Sequence, residues 1–435
     1  MKRKLIDDLL AWKQNPRRKP LILKGIRQCG KTYLLNQFGK EHYDDVAYFN
    51  FEGNDTLQAH FERDLDVTRI ISELGVLHRK AINPNSTLVI FDEIQFCNKA
   101  LTSLKYFCEN APEYHIVCAG SLLGIALSKP LSFPVGKVDF LTLRPMNFYE
   151  FLLANNEEML CNYLNEMHRN DKIAEVFSDK LEKYLKTYYI TGGMPEAVSV
   201  WLATKDVSQL EIVQQRIIDS YELDFAKYAP SNEFPKLTAI WRSIPEQLAK
   251  ENSKFIFSQV KQGLRAKALE DSLEWLISAG LAYKVMKIEK PFMPLSAYAD
   301  QTFFKLYIAD VGLFRLMSRL PASSILEQSD VFKEFKGALA ENFVLCELID
   351  INQNVPYYWK SGNTAEVDFV IQCESDIIPI EVKSNLSVRA KSLAQYKKKY
   401  VPRVSVITSM RQLSLRDTLE IPLYLLWKLK EFIKE

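Results

Sequence analysis

The sequence predicts an α/β protein: a parallel sheet with helices on both faces, then a helical stretch, a helix-and-hairpin unit and a second α/β segment. Three observations predict it. Apolar strand-like runs alternate with helical ones from Pro20 to about Pro145, the order that sandwiches a parallel sheet between helices. The first run, LILKG, leads directly into a glycine-bearing loop and a helix. Near the other end, AEVDFVIQCESDIIPIEVKSN, residues 365 to 385, reads as two strands with an aspartate, a glutamate and a lysine among the valines and isoleucines. Charge in such interiors costs free energy unless it is paired or holds a metal.

Taken in order, the strand-like runs are LILKG, DVAYFNF, STLVIFDE and YHIVCAG, with helices expected from Gly30, from Val67 to Ala81 and after the third strand. From Pro145 to about Ala229 the pattern is helical, broken at TGGMPEAV, a turn followed by a helix start. Between 236 and about 318, LEDSLEWLISAGL has helical spacing and is followed by AYKVMKI and FFKLYIAD, so helices followed by a hairpin are expected, as in a winged helix or a plain helical connector. From about Val331 one helix, GALAENFVLCELID, precedes strands and the basic helix SVRAKSLAQYKKKY.

A chain of 435 residues needs several cores, roughly two to four domains by length. Charged residues at 25% and a net charge of +2 exclude a global pull toward nucleic acid or membrane; any such pull must be local. The seven cysteines, Cys29, Cys97, Cys108, Cys118, Cys161, Cys346 and Cys373, contain no Cys-x-x-Cys pair, so neither a zinc site nor a disulfide framework is expected. The basic start MKRKLIDDLLAWKQNPRRKP lacks an apolar core, and no run reaches a membrane span. The expectation is a reduced, cytoplasmic protein with no membrane partner.

The segment LILKGIRQCGKTYLL fits strand, G-x-x-x-x-G-K-T, helix, with Gly25, Gly30, Lys31 and Thr32 at the required positions. Glycines let the loop close around phosphate, backbone N–H groups and the helix N-terminus supply positive potential, Lys31 reaches the β/γ-phosphates, and Thr32 can ligate Mg2+. TLVIFDEIQ supports this: an apolar strand ending in Asp92, for the Mg2+ shell, and Glu93, to orient or activate the attacking water. ATP and Mg2+ are the expected ligands, with Gly25, Gly30, Lys31, Thr32 and Asp92 binding and Lys31 and Glu93 catalytic. Ser121, after HIVCAG, is expected either to contact the γ-phosphate or to cap a helix.

GIRQCGKT, LVIFDEIQ, AGSLLG, SFPVGKVDFLTLRPMNFYEFL and GGMPEAV together resemble the AAA-like P-loop ATPases of bacteria and archaea. That resemblance spans nearly the whole chain. It implies an ATPase core at 1–150, a helical lid at 151–230, a winged-helix-like domain at 231–325 and an α/β, restriction-endonuclease-like C-terminal domain at 326–435, similar to PD-(D/E)XK nucleases. Arginine fingers of such enzymes act in trans, which implies a homo-oligomer; Arg144 and Arg27 are the candidates here, though either is more often a structural arginine.

In the C-terminal segment, strand alternation puts Asp368 on the face of Glu366 and Val370, and Glu381 and Lys383 on one face of their own strand. At 100° per residue, Glu341 falls in the apolar stripe with Gly337, Val344, Leu345 and Leu348. The order E…D…ExK resembles the nuclease core, with Val367 where a proline often precedes the aspartate. It implies Glu341, Asp368 and Glu381 around a divalent metal, and Glu381 and Lys383 as catalytic residues. A structural network in which Lys383 neutralises an acid is the alternative. Arg389, Lys391, Lys397, Lys398, Lys399 and Arg403, interleaved with Tyr396 and Tyr400, could hold a phosphate backbone, as could Lys254, Lys261, Arg265 and Lys267. The expected function is therefore an ATPase whose C-terminal domain binds or cleaves DNA or RNA. The alternative is a nucleotide switch that binds a protein partner.

Overall fold

The computed structural model describes residues 1–120, 134–250, 254–260, 266–326, 333–362, 365–384 and 390–435. It divides into two units, one of residues 2–144 with 278–280, the other of 145–277 with 281–435 and Met1.

In the first unit β1 (Leu21–Lys24), β2 (Asp45–Asn50), β3 (Thr87–Asp92), β4 (His115–Ala119) and β5 (Asp139–Thr142) form one sheet in the order β2-β3-β4-β1-β5. Every pairing in it is parallel. The largely apolar β3 and β4 are buried along their whole lengths, as strands covered on both faces must be. The covering helices include α1 (Leu5–Gln14), α2 (Lys31–His42), α3 (Asp55–Arg63), α4 (Val67–His78) and α5 (Asn98–Asn110). The aromatic rings of Phe51, Phe61 and Phe91 meet edge to face within the core that joins sheet and helices. Because all strands run the same way, the ends of β1 and β3 that carry the glycine loop and the two acids open on one edge of the sheet.

The second unit begins with helices, among them Glu175–Thr191, Pro195–Thr204, Val207–Tyr228 and Phe234–Leu248. TGGMPEAV is a turn leading into a helix with Pro195 at its first position. Its sheet has eight strands in the order β12-β13-β11-β10-β9-β8-β6-β7. These are β6 (Ala282–Ile288), β7 (Ala299–Ile308), β8 (Tyr357–Ser361), β9 (Ala365–Cys373), β10 (Asp376–Val382), β11 (Val406–Ser409), β12 (Ser414–Leu415) and β13 (Leu419–Pro422). The β6–β7 hairpin, expected as the wing of a separate middle domain ending at 325, is instead part of this sheet: Lys287 and Ile288 pair with Tyr358 and Trp359. The hairpin gives β8 a second neighbour, where an open edge would expose unpaired N–H and C=O groups.

Helix Lys333–Asn352, strands β8, β9 and β10, helix Lys391–Tyr400 and β11 follow one another along the chain; β8–β9–β10 pair antiparallel and β10–β11 parallel. Among the described residues, no helix is long and apolar enough to cross a membrane.

Candidate functional site

The nucleotide motif folds as its residue types require. Gly25 has φ +151°, and a Cβ there would stand 2.2 Å from the Leu143 carbonyl oxygen; Gly30, at φ +93°, caps α2 in the left-handed region that side chains avoid. Lys31 is buried and its ammonium donates to the carbonyls of Gly25 and Ile26, both at 2.9 Å. The Thr32 hydroxyl donates to Asp92 Oδ2 at 2.8 Å, which joins the motif on β1–α2 to the acid at the end of β3. The Tyr48 hydroxyl, from β2, donates to the same oxygen at 2.7 Å. Burial, and the Asp92 carboxylate beside it, raise the Tyr48 phenol above its ordinary range, so it stays a donor. Glu93 has φ +50°, which turns the chain out of the strand, and Gln95 donates to its carboxylate. Arg3 donates to the carbonyls of Cys29 and Arg144, bracing the loop from the N-terminus.

A buried carboxylate beside a threonine hydroxyl, with a lysine next to it, fits an octahedral Mg2+ that keeps several waters and takes phosphate oxygens. Lys31, Thr32 and Asp92 are brought together; Ser121 lies outside the described residues, which resume at 134.

The C-terminal acids also converge, but with a different set of partners. Asp368 Oδ2 accepts the backbone N–H of Val382 at 2.7 Å, which ties β9 to β10 beside Glu381. Lys383 Nζ donates to Glu381 Oε1 at 2.7 Å, whereas the other oxygen, Oε2, is buried with no hydrogen-bond partner, in a residue only 4% exposed. Burial first, and then the like charges of Glu381 and Glu341, raise the Asp368 carboxyl well above its usual range. Burial also raises Glu381, against the opposing pull of Lys383.

Glu341 does not join them as a third metal ligand. Its Oε2 accepts the Tyr307 hydroxyl at 3.0 Å and faces Lys305 Nζ at 3.5 Å. Among the described residues, no group of three or more His, Cys, Asp or Glu side chains is placed to hold a metal ion. The three-carboxylate set expected from the sequence is thereby corrected to the pair Asp368 and Glu381, because β7 delivers a lysine and a tyrosine to the side chain read as the third member. Two carboxylates, one with a bare buried oxygen, still fit a single hard cation.

The basic helix is also different in detail. Tyr396 is buried against Trp359 with ring centroids 5.1 Å apart, so it is core rather than a stacking surface. Lys397 donates to the Asp417 carbonyl and Thr418 hydroxyl, and Arg403 pairs with Asp376 at 2.7 Å. Lys391, Lys398 and Lys399 remain exposed; Lys254 lies 3.4 Å from the Phe303 ring centroid; Arg389, Lys261 and Arg265 fall outside the described residues.

Sequence reasoning missed Tyr48, Tyr307, Glu366 and Lys305. A signal for the last was present: FFKLYI sets one lysine among five apolar residues, the same anomaly that singled out Asp368.

Residues 17–152 match the family described as an AAA domain, so this part of the chain is an AAA-type ATPase-like domain. Residues 182–324 and 336–426 match two domains of unknown function, DUF8612 and DUF4143. An uncharacterized protein of Methanocaldococcus jannaschii, MJ1544, is 25% identical over 389 residues, covering 87% of this chain and 78% of its own. Among solved structures, the Walker-type ATPase PABY2304 of Pyrococcus abyssi is similar at 15% identity and a TM-score of 0.46, over 73% of this chain and 95% of that one. The Aeropyrum pernix Orc1 protein, solved in complex with DNA, is similar at 12% identity and a TM-score of 0.28, over 74% and 92%.

Proposed function

We propose that the N-terminal domain binds and hydrolyses MgATP, and that Asp368, Glu381 and Lys383 form a single-cation, nuclease-like site that acts on DNA or RNA. The observation that carries the first half is the Thr32 hydroxyl on Asp92 Oδ2 at 2.8 Å. It supports the reading because a hydroxyl from the first turn of α2 and a carboxylate at the end of β3 meet where a phosphate-bound Mg2+ needs them. Lys31 would exchange the carbonyls of Gly25 and Ile26 for phosphate oxygens, Asp92 would hold the cation's water shell, and Glu93 would orient the attacking water. Mg2+ supplies neutralisation of phosphate charge when bound.

Supporting the second half, the helix–β8–β9–β10–helix–β11 order brings Asp368 beside Glu381-x-Lys383 with one carboxylate oxygen unpartnered. Asp368 and Glu381 would hold one divalent cation, and Lys383 would stand beside the attacked phosphate as a positive charge. A second reading has its own observation: Glu366 and Glu381 already pair with lysines, and Lys397 of the basic helix is tied to Asp417 and Thr418, as in a scaffold that serves an ATP-controlled protein partner.

ATP hydrolysis and cleavage of single- and double-stranded DNA and RNA, measured in parallel for wild type, Lys31→Ala and Glu381→Ala, test both halves. The proposal expects hydrolysis lost only in Lys31→Ala and Mn2+-dependent cleavage lost only in Glu381→Ala. Intact polynucleotides in every wild-type reaction would leave the partner-binding reading in place of the nuclease.

A further inference from the structure

Lys305 sits in the interior of β7, 2% exposed, on a hairpin that precedes the helix–strand segment carrying the acids. Its ammonium lies 2.7 Å from Glu366 Oε1 and 3.5 Å from Glu341 Oε2, and it also feels the charge of Asp368. Lys360 holds the other oxygen of Glu366 at 2.9 Å, and Lys383 holds Glu381. Among the described residues, four carboxylates (Glu341, Glu366, Asp368, Glu381) thus face three ammoniums (Lys305, Lys360, Lys383). A buried lysine is expensive to desolvate and persists only where carboxylates repay it. Lys305 does what a bound cation does in acid clusters: from β7 it draws together carboxylates of two other elements, the helix Lys333–Asn352 and β9, without reaching solvent.

We propose that Lys305 is a built-in counter-cation for Glu341 and Glu366, so that removing its charge lets one divalent cation bind between those two carboxylates. The independent sign that this cluster is short of positive partners is Glu381 Oε2, buried beside Asp368 and unpaired. Without Lys305, Glu341 and Glu366 would share one ammonium, that of Lys360, and a divalent cation between them would restore the missing positive charge. The inference does not depend on whether the wild-type protein binds a cation at Asp368 and Glu381, because its readout is the difference between variant and wild type.

The test is Mn2+ binding to the nucleotide-free full-length chain, counted by electron paramagnetic resonance, for wild type, Lys305→Met and Lys305→Met with Glu341→Gln. Any Mn2+ held at Thr32 and Asp92 is common to all three and cancels. Lys305→Met is expected to bind one more Mn2+ per chain than wild type, and the double variant to return to the wild-type count. Equal counts in wild type and Lys305→Met would overturn the inference, as would an extra ion that survives Glu341→Gln. A wild type with no ion at the C-terminal acids and a variant with one supports the inference while overturning the single-cation reading above. If Lys305→Met is unfolded without metal, recovery of its melting transition in millimolar MgCl2 counts as the gained site, and unfolding regardless of divalent cation overturns it.

Discussion

The two acidic regions of this chain treat carboxylates in opposite ways. Asp92 is buried against two neutral hydroxyls, those of Thr32 and Tyr48, which can turn toward other partners without stranding a charge. Glu366 is held by two lysines, Lys305 and Lys360, the first of them almost wholly buried. Hydroxyl partners leave an acid available for a ligand; ammonium partners make it part of the frame. The lesson is that an aspartate at a strand end and a glutamate in a strand interior carry different costs on removal, one in turnover and the other in stability.

The largest effect that separates them is on hydrolysis. Asp92→Asn is expected to lower ATP turnover ~1000-fold, on the scale of losing one preorganised charge at a reacting phosphate, with little change in thermal midpoint. A midpoint that falls as steeply as activity would break the contrast. Next, Glu366→Ala leaves Lys305 without its short ion pair and should cost about 3–4 kcal/mol of stability in urea unfolding, within the range for breaking a buried pair. Unchanged stability would mean that Lys305 is not the frame element described.

A third expectation uses a group outside both sites. Burial pushes the His115 imidazole, on β4, down to about 4; Arg18 and Lys13 add to this, while Tyr43 bonds Nδ1 at 2.7 Å and Nε2 has no partner. The folded chain therefore binds this proton later than the unfolded chain, whose imidazole titrates near 6.5. The stability this leaves is full above pH 6.5 and is lost as pH falls toward 4, by about 3 kcal/mol, and His115→Gln should flatten that slope in denaturant melts. The smallest effect is that of Tyr48→Phe, which removes one of two hydroxyl donors to Asp92 and should raise the barrier to hydrolysis by about 1 kcal/mol, read as a modest fall in turnover.

Local pattern was enough to place β1 to β4, the glycine loop and the two acids after β3, because each of these is a short run whose residue types state their own constraint. It was enough, too, to put Asp368, Glu381 and Lys383 together, since alternation along two adjacent strands decides which side chains meet. What it could not supply was pairing across distance. The hairpin of β6 and β7 joins a strand some seventy residues later in the chain, Lys287 opposite Tyr358, and nothing local to AYKVMKI states that partner. The same gap hid the fate of Glu341: its helical address was read from its own neighbours, while the groups that engage it, Lys305 and Tyr307, arrive on β7. The burial of Tyr396 was hidden for a related reason, since an aromatic between lysines on a helix shows its burial only once Trp359 is beside it.

The shared sheet has a consequence for how this chain can change over evolutionary time. Residues 282–308 and 357–422 lie in segments that match two different families, yet their strands form one hydrogen-bonded layer. A recombination event that exchanged one segment for an unrelated one would leave β8 with a foreign or missing neighbour and the glutamates without their lysine. The two segments are therefore expected to be inherited as a pair, with lineages that lose one losing the other.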